Sequence, residues 1–469
     1  MPHYEKLTHP HISDMIKIIK TYIEEEQKMG TYRTLKYPPA VFWEVTSFCN
    51  HTCVHCFNYW RTDEEAKACI NKSMKQEEYL VIAKKILENQ PARVIFTGGE
   101  PLVALEQIKP AIELFQEHKI SISFNTNGAL MTQETAEYFA RRRVGLFVSF
   151  PSAVPEEFDR IVSTPGAYER VVEAMDVCKR SGVNFSFNMV VSRINLHSIF
   201  ETARFLKERY NANRISITRV SEPINAIDRF DEYMLDENDF ACYLDSCCRV
   251  SEELGMSVKA ASPITPCSID TQDAYELFAF AGGCEAGKSS YVVTAEGKVR
   301  ACARDAKEYG DILKEPFSDI WERMGEWRDE SMIPTECNGC EVRSACRGGC
   351  RVDGFPRKCR YNCLDTYSDL KRLPLVYQKA PEYLPRWNYE TRFTVPEYLW
   401  FVEEDFGVRV SYRGLHTYCT KNFAEYLKKM RGNSFSLDEF CKRFEMDFDT
   451  AREALKGLSD QYIVQASKL

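Results

Sequence analysis

The sequence lacks the features that mark membrane, secreted and nucleic-acid-binding proteins. None of its apolar runs reaches the roughly 18–20 residues that a membrane-spanning helix requires. Acidic residues and histidines interrupt the N-terminal stretch, where a signal peptide would need a continuous apolar run. Positive charge is also scarce: the net charge is −8, which disfavours general binding to phosphate backbones. These absences predict a cytoplasmic protein with no membrane or nucleic-acid partner.

Cysteine, by contrast, is abundant, with 19 residues in a chain of 469. Disulfides do not persist in a reducing compartment, so most of these thiols are predicted to bind iron or zinc as thiolates. Three lie at 49–56, one each lies at 267, 284 and 302, and six lie between 337 and 363. The others fall in helix-like stretches without ligand spacing, and we interpret them as buried structural thiols.

Six short β-rich runs alternate with helix-period segments between residue 41 and about residue 220. This alternation predicts an α/β fold with a parallel sheet. The predicted strands are 41–46, 93–97, 120–126, 145–150, 184–191 and 214–220. Polar or glycine-rich residues follow one strand after another. In parallel α/β folds the loops at the carboxyl ends of the strands build the active site, so we expect a site at this edge of the sheet.

The chain is too long for one comfortable hydrophobic core, so several domains are predicted. The predicted regions are an N-terminal helical segment (1–40, with a helix over about 12–29), an α/β domain (41–235), a cysteine-rich domain with little helical periodicity (236–372), a proline-punctuated linker (373–393) and a C-terminal domain (394–469).

The C-terminal domain is predicted to resemble a winged helix. A hairpin turns at 405–407, and Ser436 is a predicted N-cap, while Gly432 is a predicted helix stop. The three predicted helices and the return strand are 421–431, 437–444, 449–459 and 462–465.

Cys49, Cys53 and Cys56 form a C-x3-C-x2-C loop directly after the first predicted strand. Three thiolates on one tight loop can bind three irons of a 4Fe–4S cluster and leave the fourth iron open to an exchangeable ligand. The alternative is a zinc site, in which His51 or His55 supplies a fourth ligand. The position after a strand of a βα unit favours the cluster.

The loop from Cys49 to Phe57 resembles the signature of the radical S-adenosylmethionine (SAM) family. Further motifs occur in that family's order: Gly98-Gly99-Glu100-Pro101, Thr126-Asn127-Gly128 and Ser149. The resemblance implies a partial (β/α)6 TIM-like barrel, a reduced flavodoxin- or ferredoxin-type electron donor, and cleavage of SAM to a 5′-deoxyadenosyl radical.

The same resemblance implies which residues bind SAM. The GGEP backbone and Glu100 would hold the methionine amino group, and Ser149 and Arg193 would meet the carboxylate. Phe57 and Asn127 complete the implied SAM site. The catalytic base is not assigned.

The second cysteine set resembles the SPASM extension of this family, which binds two auxiliary clusters and brings the implied total to three 4Fe–4S clusters. The implied ligands are Cys267, Cys284, Cys302 and Cys350 for auxiliary cluster I, and Cys337, Cys340, Cys346 and either Cys359 or Cys363 for auxiliary cluster II. The usual final gap favours Cys363. A pair of zinc sites is the alternative.

Two departures from the family pattern bear on the substrate. The fourth strand ends in Ser149-Phe150-Pro151, where many relatives have an Asp-Gly pair after the serine. Anaerobic sulfatase-maturing relatives carry an aspartate, proposed as a catalytic base, directly after the cysteine that matches Cys302. That position is Ala303 in this chain. Sulfatase maturation is therefore the less favoured interpretation.

The order of elements in 394–469 is similar to the precursor-recognition domain of ribosomal peptide maturases, and such a module can bind an extended peptide by strand addition. We therefore predict a peptide maturase that abstracts hydrogen from a precursor peptide and forms a thioether, carbon–carbon or ether crosslink. The alternatives are sulfatase maturation, oxidation of a small carbohydrate alcohol, and a zinc-stabilised binding scaffold without catalysis.

Overall fold

The structure is a computed structural model. It describes residues 35–36, 38–58, 74–221, 230–278, 284–329, 331–340, 342–353, 367–368, 387–405, 407–412 and 415–466. The predicted helix over 12–29, together with Cys359 and Cys363, lies outside these residues. No helix in the described part of the chain combines the length and the apolar composition needed to cross a bilayer.

Ten strands form one sheet that contains all six predicted strands. They are β1 (Ala40–Thr46), β2 (Arg93–Gly98), β3 (Ser121–Thr126), β4 (Gly145–Ser149), β5 (Asn184–Val191), β6 (Arg214–Arg219), β7 (Ser257–Lys259), β8 (Ser290–Val293), β9 (Lys298–Arg300) and β10 (Glu308–Asp311). The order across the sheet is β10-β9-β8-β1-β2-β3-β4-β5-β6-β7. Strands β1 to β6 are parallel and adjacent in chain order, which confirms the predicted α/β partial barrel.

Helices follow the strands and cover the sheet. They are α1 (Gln76–Glu88), α2 (Leu105–Glu117), α3 (Gln133–Arg142), α4 (Pro155–Val162), α5 (Ala167–Ser181), α6 (Ile199–Tyr210), α7 (Glu237–Leu254), α8 (Gln272–Phe278), α9 (Phe317–Arg323) and α10 (Arg343–Cys346). An aromatic group in the core joins sheet to helices: the ring of Phe96 on β2 lies 4.8 Å from Phe124 on β3 and 6.3 Å from Phe115 on α2.

The cysteine-rich region extends the sheet rather than forming a separate layer. Strand β8 pairs in parallel with β1, and β9 and β10 add antiparallel strands beyond it. The prediction of little helical periodicity in this region was wrong at its start, because α7 is 18 residues long. Asp236 and Asp239 form a capping box at its N-terminus, and Phe240 and Tyr243 lie on its buried face.

The C-terminal domain has its own hydrophobic core, separate from that of the barrel. Its elements are β11 (Arg392–Thr394), β12 (Trp400–Glu404), β13 (Gly407–Tyr412), β14 (Leu415–Cys419), α11 (Lys421–Lys429), β15 (Ser434–Ser436), α12 (Leu437–Phe444), α13 (Phe448–Asp460) and β16 (Gln465–Ala466). Two three-stranded sheets form, in the orders β15-β11-β16 and β12-β13-β14.

The predicted hairpin and three helices of this domain are all present. Ser436 caps α12, because its hydroxyl accepts a hydrogen bond of 3.1 Å from the backbone N–H of Glu439. The ring of Trp387 lies 4.8 Å from that of Phe393 inside the core, so the domain begins before the predicted boundary at 394.

Candidate radical SAM and iron–sulfur sites

The loop that carries Cys49, Cys53 and Cys56 follows β1 at the carboxyl edge of the sheet. Two backbone hydrogen bonds attach it to the end of α4, from Thr52 N to Val162 O at 3.2 Å and from Val54 N to Ile161 O at 2.9 Å. All three cysteines are partly buried. The loop is therefore fixed by backbone contacts, and its thiols remain accessible to a ligand.

The GGEP motif also holds this loop in place. The backbone N–H of Gly99 donates to Thr46 O at 2.7 Å, and that of Glu100 donates to Phe48 O at 2.8 Å. A Cβ atom on Gly98 would lie 2.1 Å from Thr46 O, and one on Gly99 would lie 2.0 Å from Phe48 O. Only glycine permits this approach of two backbones, so the motif sets the position of the cysteine loop.

Replacing Gly99 with alanine is expected to displace the cysteine loop, because backbone oxygen atoms cannot yield as a flexible side chain can. We expect the variant to lose the iron of this loop, about four atoms per chain for one 4Fe–4S cluster. Iron analysis after anaerobic reconstitution measures the effect. Gly457→Ala is the matched control, since nothing lies within 4 Å of its Cβ position in helix α13. Full iron content in Gly99→Ala would contradict this role.

Glu100 is buried, and its carboxylate is already engaged by the protein. It accepts hydrogen bonds from Leu102 N at 3.0 Å, Thr126 Oγ1 at 2.7 Å and Asn127 N at 2.7 Å. Burial raises the pKa of Glu100 to about 7, and these hydrogen bonds oppose the rise. The carboxylate caps the 3-10 helix Pro101–Ala104 and joins the ends of β2 and β3. The contact with the methionine amino group therefore remains a prediction for the GGEP backbone rather than for this side chain.

Asn127 connects the third strand to the cysteine loop. Its amide donates to Asn50 Oδ1 at 2.8 Å and lies 3.8 Å from Cys49 Sγ. Ser149 ends β4 with its side chain exposed, and Phe57 is exposed beside the loop. The motifs that the sequence orders along the chain thus meet at one edge of the sheet.

Arg193 is held by two carboxylates beyond the end of β5. Its Nε donates to Asp239 at 2.7 Å and its Nη2 to Asp236 at 2.9 Å, both at the N-terminus of α7. These carboxylates hold the guanidinium in place and raise its pKa further. Arg193 thus anchors α7 to the end of β5, and its contact with the SAM carboxylate stays a prediction.

Cys284, Cys302 and Cys350 form a first auxiliary group. Arg304 joins two of them, since its backbone N–H lies 3.4 Å from Cys302 Sγ and its Nη1 lies 3.4 Å from Cys350 Sγ. Burial, with a smaller contribution from the nearby Cys284 thiolate, raises the pKa of Cys302 to about 11. Three thiols from distant parts of the chain thus converge in one buried place.

Cys337, Cys340 and Cys346 form a second group, and the structure places Cys267 with them. Burial raises the pKa of Cys337 to about 11 and that of Cys346 to about 12, and Cys267 adds to both shifts. Thr265, two residues before Cys267, packs on Gly349, where a Cβ would lie 2.5 Å from its Cγ2. Cys267 therefore lies near the second group, and its neighbour Thr265 contacts the residue before Cys350 of the first group, so its assignment to auxiliary cluster I stays a prediction.

The residues around the first auxiliary group fit an anionic cluster. Arg351 is only 2% exposed, and its Nη2 is buried with no hydrogen-bond partner among the described residues. Cys284 and Cys350 are among the groups that raise its pKa, although burial lowers it overall. A buried cation beside thiolates is compensated by a negatively charged cluster. Within the described ranges, no three His, Cys, Asp or Glu side chains are arranged to hold a single metal ion.

One buried ion pair and one buried charge triad beside these sites were missed at the level of sequence. Glu44 and Arg300 pair in the core and join β1 to the loop after Cys302. Asp353 pairs with both Arg219 and Arg304. The sequence contained a signal for the pair of Glu44 and Arg300, because Glu44 is a charged residue inside the apolar run of β1. The triad has no local signal, because its members come from distant segments.

Comparison with known proteins agrees with this geometry. The model of the Radical SAM superfamily matches residues 43–206, and that of the SPASM iron–sulfur cluster-binding domain matches residues 284–341. The chain is 28% identical over 334 residues to an AdoMet-dependent heme synthase of Methanosarcina barkeri, covering 68% of this chain and 92% of that protein. It is 25% identical over 344 residues to the mycofactocin maturase MftC of Mycolicibacterium smegmatis, covering 69% of this chain and 80% of that protein.

Solved structures share the fold. SuiB of Streptococcus suis bound to the precursor peptide SuiA has a TM-score of 0.56 at 16% identity, covering 78% of this chain and 83% of SuiB. The structure of anSMEcpe with bound AdoMet has a TM-score of 0.56 at 19% identity, covering 70% of this chain and 90% of anSMEcpe. The two matched domains indicate iron–sulfur clusters and SAM binding. The chain is therefore an enzyme that carries a Radical SAM superfamily domain and a SPASM iron–sulfur cluster-binding domain.

Proposed function

We propose that this protein is a peptide maturase that abstracts hydrogen from a ribosomal precursor peptide and forms a thioether, carbon–carbon or ether crosslink. The proposal rests on one observation. The same chain combines a barrel whose edge carries the cysteine loop with a C-terminal domain that has its own hydrophobic core. The mycofactocin maturase relative and the fold shared with a precursor-bound SuiB support it.

The residues at the barrel edge are proposed to bind SAM at the open iron of the cluster on Cys49, Cys53 and Cys56. The GGEP backbone, Asn127, Ser149 and Phe57 border this position and are the proposed SAM contacts. SAM and the cluster, when bound, supply a 5′-deoxyadenosyl radical, and a reduced flavodoxin or ferredoxin supplies the electron. The chain's own residues position the substrate and keep water away from the radical.

Two auxiliary clusters complete the proposed set of three. Cys284, Cys302 and Cys350 would hold the first together with Cys267, and Cys337, Cys340 and Cys346 the second. Cys359 or Cys363, both outside the described residues, would complete the second. Iron near twelve atoms per chain after reconstitution is expected for three 4Fe–4S clusters. A colourless protein that contains zinc instead would favour the binding scaffold.

The proposed peptide site is a groove of about 230 Å³ between the C-terminal domain and the amino edge of the barrel. Strand β12 lines it and is an edge strand, since β13 is its partner in the described sheet. The lining residues are Pro91, Ala92, Lys119, Ile120, Glu397, Tyr398, Leu399, Trp400, Ser411, Tyr412 and Arg431. An edge strand beside apolar and charged side chains suits an extended leader segment, which binds by strand addition.

Tyr398 is the most exposed aromatic side chain of this groove, at 58%, and Lys119 Nζ lies 4.9 Å from its ring centroid. We expect Tyr398→Ala to weaken the binding of the cognate leader peptide about tenfold, or about 1.4 kcal/mol, because exposed aromatic anchors carry much of the binding energy. Fluorescence anisotropy with a labelled leader measures it.

Tyr462→Ala is the matched control for that measurement. Tyr462 is 56% exposed on the same domain and does not line the groove. If both variants bind the leader peptide as tightly as the unmodified protein does, the leader binds outside this groove.

Heme synthase activity is the second candidate, because the archaeal heme synthase is covered over 92% of its length. About a third of this chain lies outside that alignment, however, and the relative has no matching part for it. Sulfatase maturation and oxidation of a carbohydrate alcohol are less favoured, since Asp305, the carboxylate nearest to Ala303 in sequence, is 2% exposed. Removal of the C-terminal domain distinguishes all of these from peptide maturation.

A further inference from the structure

A buried charge triad connects the barrel to the first auxiliary group. Asp353 accepts a hydrogen bond of 2.5 Å from Arg304 Nη1 through one carboxylate oxygen and one of 3.0 Å from Arg219 Nη2 through the other. The side chains of Arg219 and Asp353 are each 3% exposed, and that of Arg304 is 12% exposed. Two cations and one anion lie there, so the triad carries one net positive charge.

Each end of the triad lies at a functional position. Arg219 is the last residue of β6, at the same edge of the sheet as the cysteine loop. Its guanidinium carbon lies 5.0 Å from the ring centroid of Tyr367, which stacks on Phe240. At the other end, Arg304 lies within 3.4 Å of two thiol sulfurs of the auxiliary group.

We propose that Arg304 sets the reduction potential of the auxiliary cluster held by Cys284, Cys302 and Cys350, and that Asp353 and Arg219 fix it in place. This inference rests on the proposed function, which places a cluster there. Reduction adds one negative charge to a cluster, so a fixed cation beside a ligand sulfur, here the Arg304 guanidinium beside Cys350 Sγ, stabilises the reduced form more than the oxidised form.

Burial makes this effect large. Two of the three side chains are nearly excluded from water, where neither solvent nor salt screens the interaction as it does at a surface. A guanidinium also keeps its charge at every working pH, unlike a histidine or a lysine. The triad thus supplies a permanent positive charge that raises the potential and favours transfer of one electron to this cluster rather than from it.

A purely structural clamp is the competing explanation, and the reduction potential separates the two. In Arg304→Gln, redox titration of the reconstituted full chain, followed by electron paramagnetic resonance, should show one cluster shifted downward by at least about 59 mV. That shift corresponds to a tenfold change in the equilibrium constant for one electron. Arg219→Gln, which leaves both thiol contacts intact, should shift the same cluster downward by less.

Arg409→Gln is the control, because Arg409 is also a buried arginine but lies in the C-terminal domain. It should leave every potential unchanged. Arg304→Lys keeps the charge and should recover part of the shift, and Arg219→Gln becomes the deciding variant if Arg304→Gln loses iron. Unchanged potentials in the variants with full iron content would overturn the proposal. Failure of the proposed function is a different result: the unmodified protein would then bind no auxiliary cluster, with about four irons per chain.

Discussion

Replacing Cys53 with alanine is expected to abolish cleavage of SAM while both auxiliary sites stay filled. The substitution removes one of three thiolates on a loop whose backbone is held independently by α4 and by the GGEP motif. A cluster bound by two cysteines has lost one of its protein ligands, and iron should fall from about twelve to about eight atoms per chain. The production of 5′-deoxyadenosine, measured by chromatography under anaerobic reducing conditions, should fall to background.

Cys178→Ala is the control for this result. Cys178 lies buried in α5, where burial raises its pKa to about 12 and keeps the thiol protonated. Its replacement should change neither iron content nor SAM cleavage. If Cys53→Ala still produces deoxyadenosine at the level of the unmodified protein, the cysteine loop takes no part in SAM cleavage.

Deleting residues 387–469 is expected to reduce modification of the precursor peptide at least about a hundredfold, which corresponds to the loss of about 2.7 kcal/mol of leader binding. Cleavage of SAM without peptide should remain within a factor of about three of the unmodified protein. The two activities separate because the deleted domain has its own core, while the cysteine loop, GGEP and Asn127 all lie in the barrel. Mass spectrometry of the peptide and chromatography of deoxyadenosine measure the two effects.

The deletion also exposes barrel surface that the domain covers. Arg409 Nη2 donates to Gln90 O at 2.8 Å, and Lys36 N donates to Glu404 Oε2 at 3.0 Å across this contact. Circular dichroism and iron content therefore serve as controls for an intact barrel. Full peptide modification by an intact truncated protein would contradict the proposed role of the domain and favour a substrate bound by the barrel alone.

Much of the fold was predictable because it depends on local pattern. The six barrel strands were predicted close to their observed bounds, since apolar β-branched runs between amphipathic segments need no distant information. The C-terminal hairpin and helices followed from the same signals. Helix α7 was missed because cysteines and polar residues dominate its sequence, and its buried face is revealed only by packing. Strand β14 was missed as well, because a short strand depends on its partner.

The candidate site shows the same division. The spacing of Cys49, Cys53 and Cys56, and the glycines of GGEP, were sufficient to predict which residues matter. The sequence was not sufficient to predict what each one contacts: the carboxylate of Glu100 caps a 3-10 helix, and Arg193 pairs with Asp236 and Asp239. Side-chain partners depend on which segments meet, and spacing carries no information about segments far apart in the chain.

The sequence by itself determined the parallel barrel, the cysteine loop and the SPASM ligand spacing, because periodicity and short motifs act over a few residues. Only the tertiary structure decided that Cys267 lies with Cys337 and Cys346, and that Asp353 holds two arginines beside the auxiliary thiols. Those pairings join residues separated by up to 134 positions. They are set by how the sheet and its cysteine-rich extension pack, since burying a charge is favourable only where a partner is brought to it.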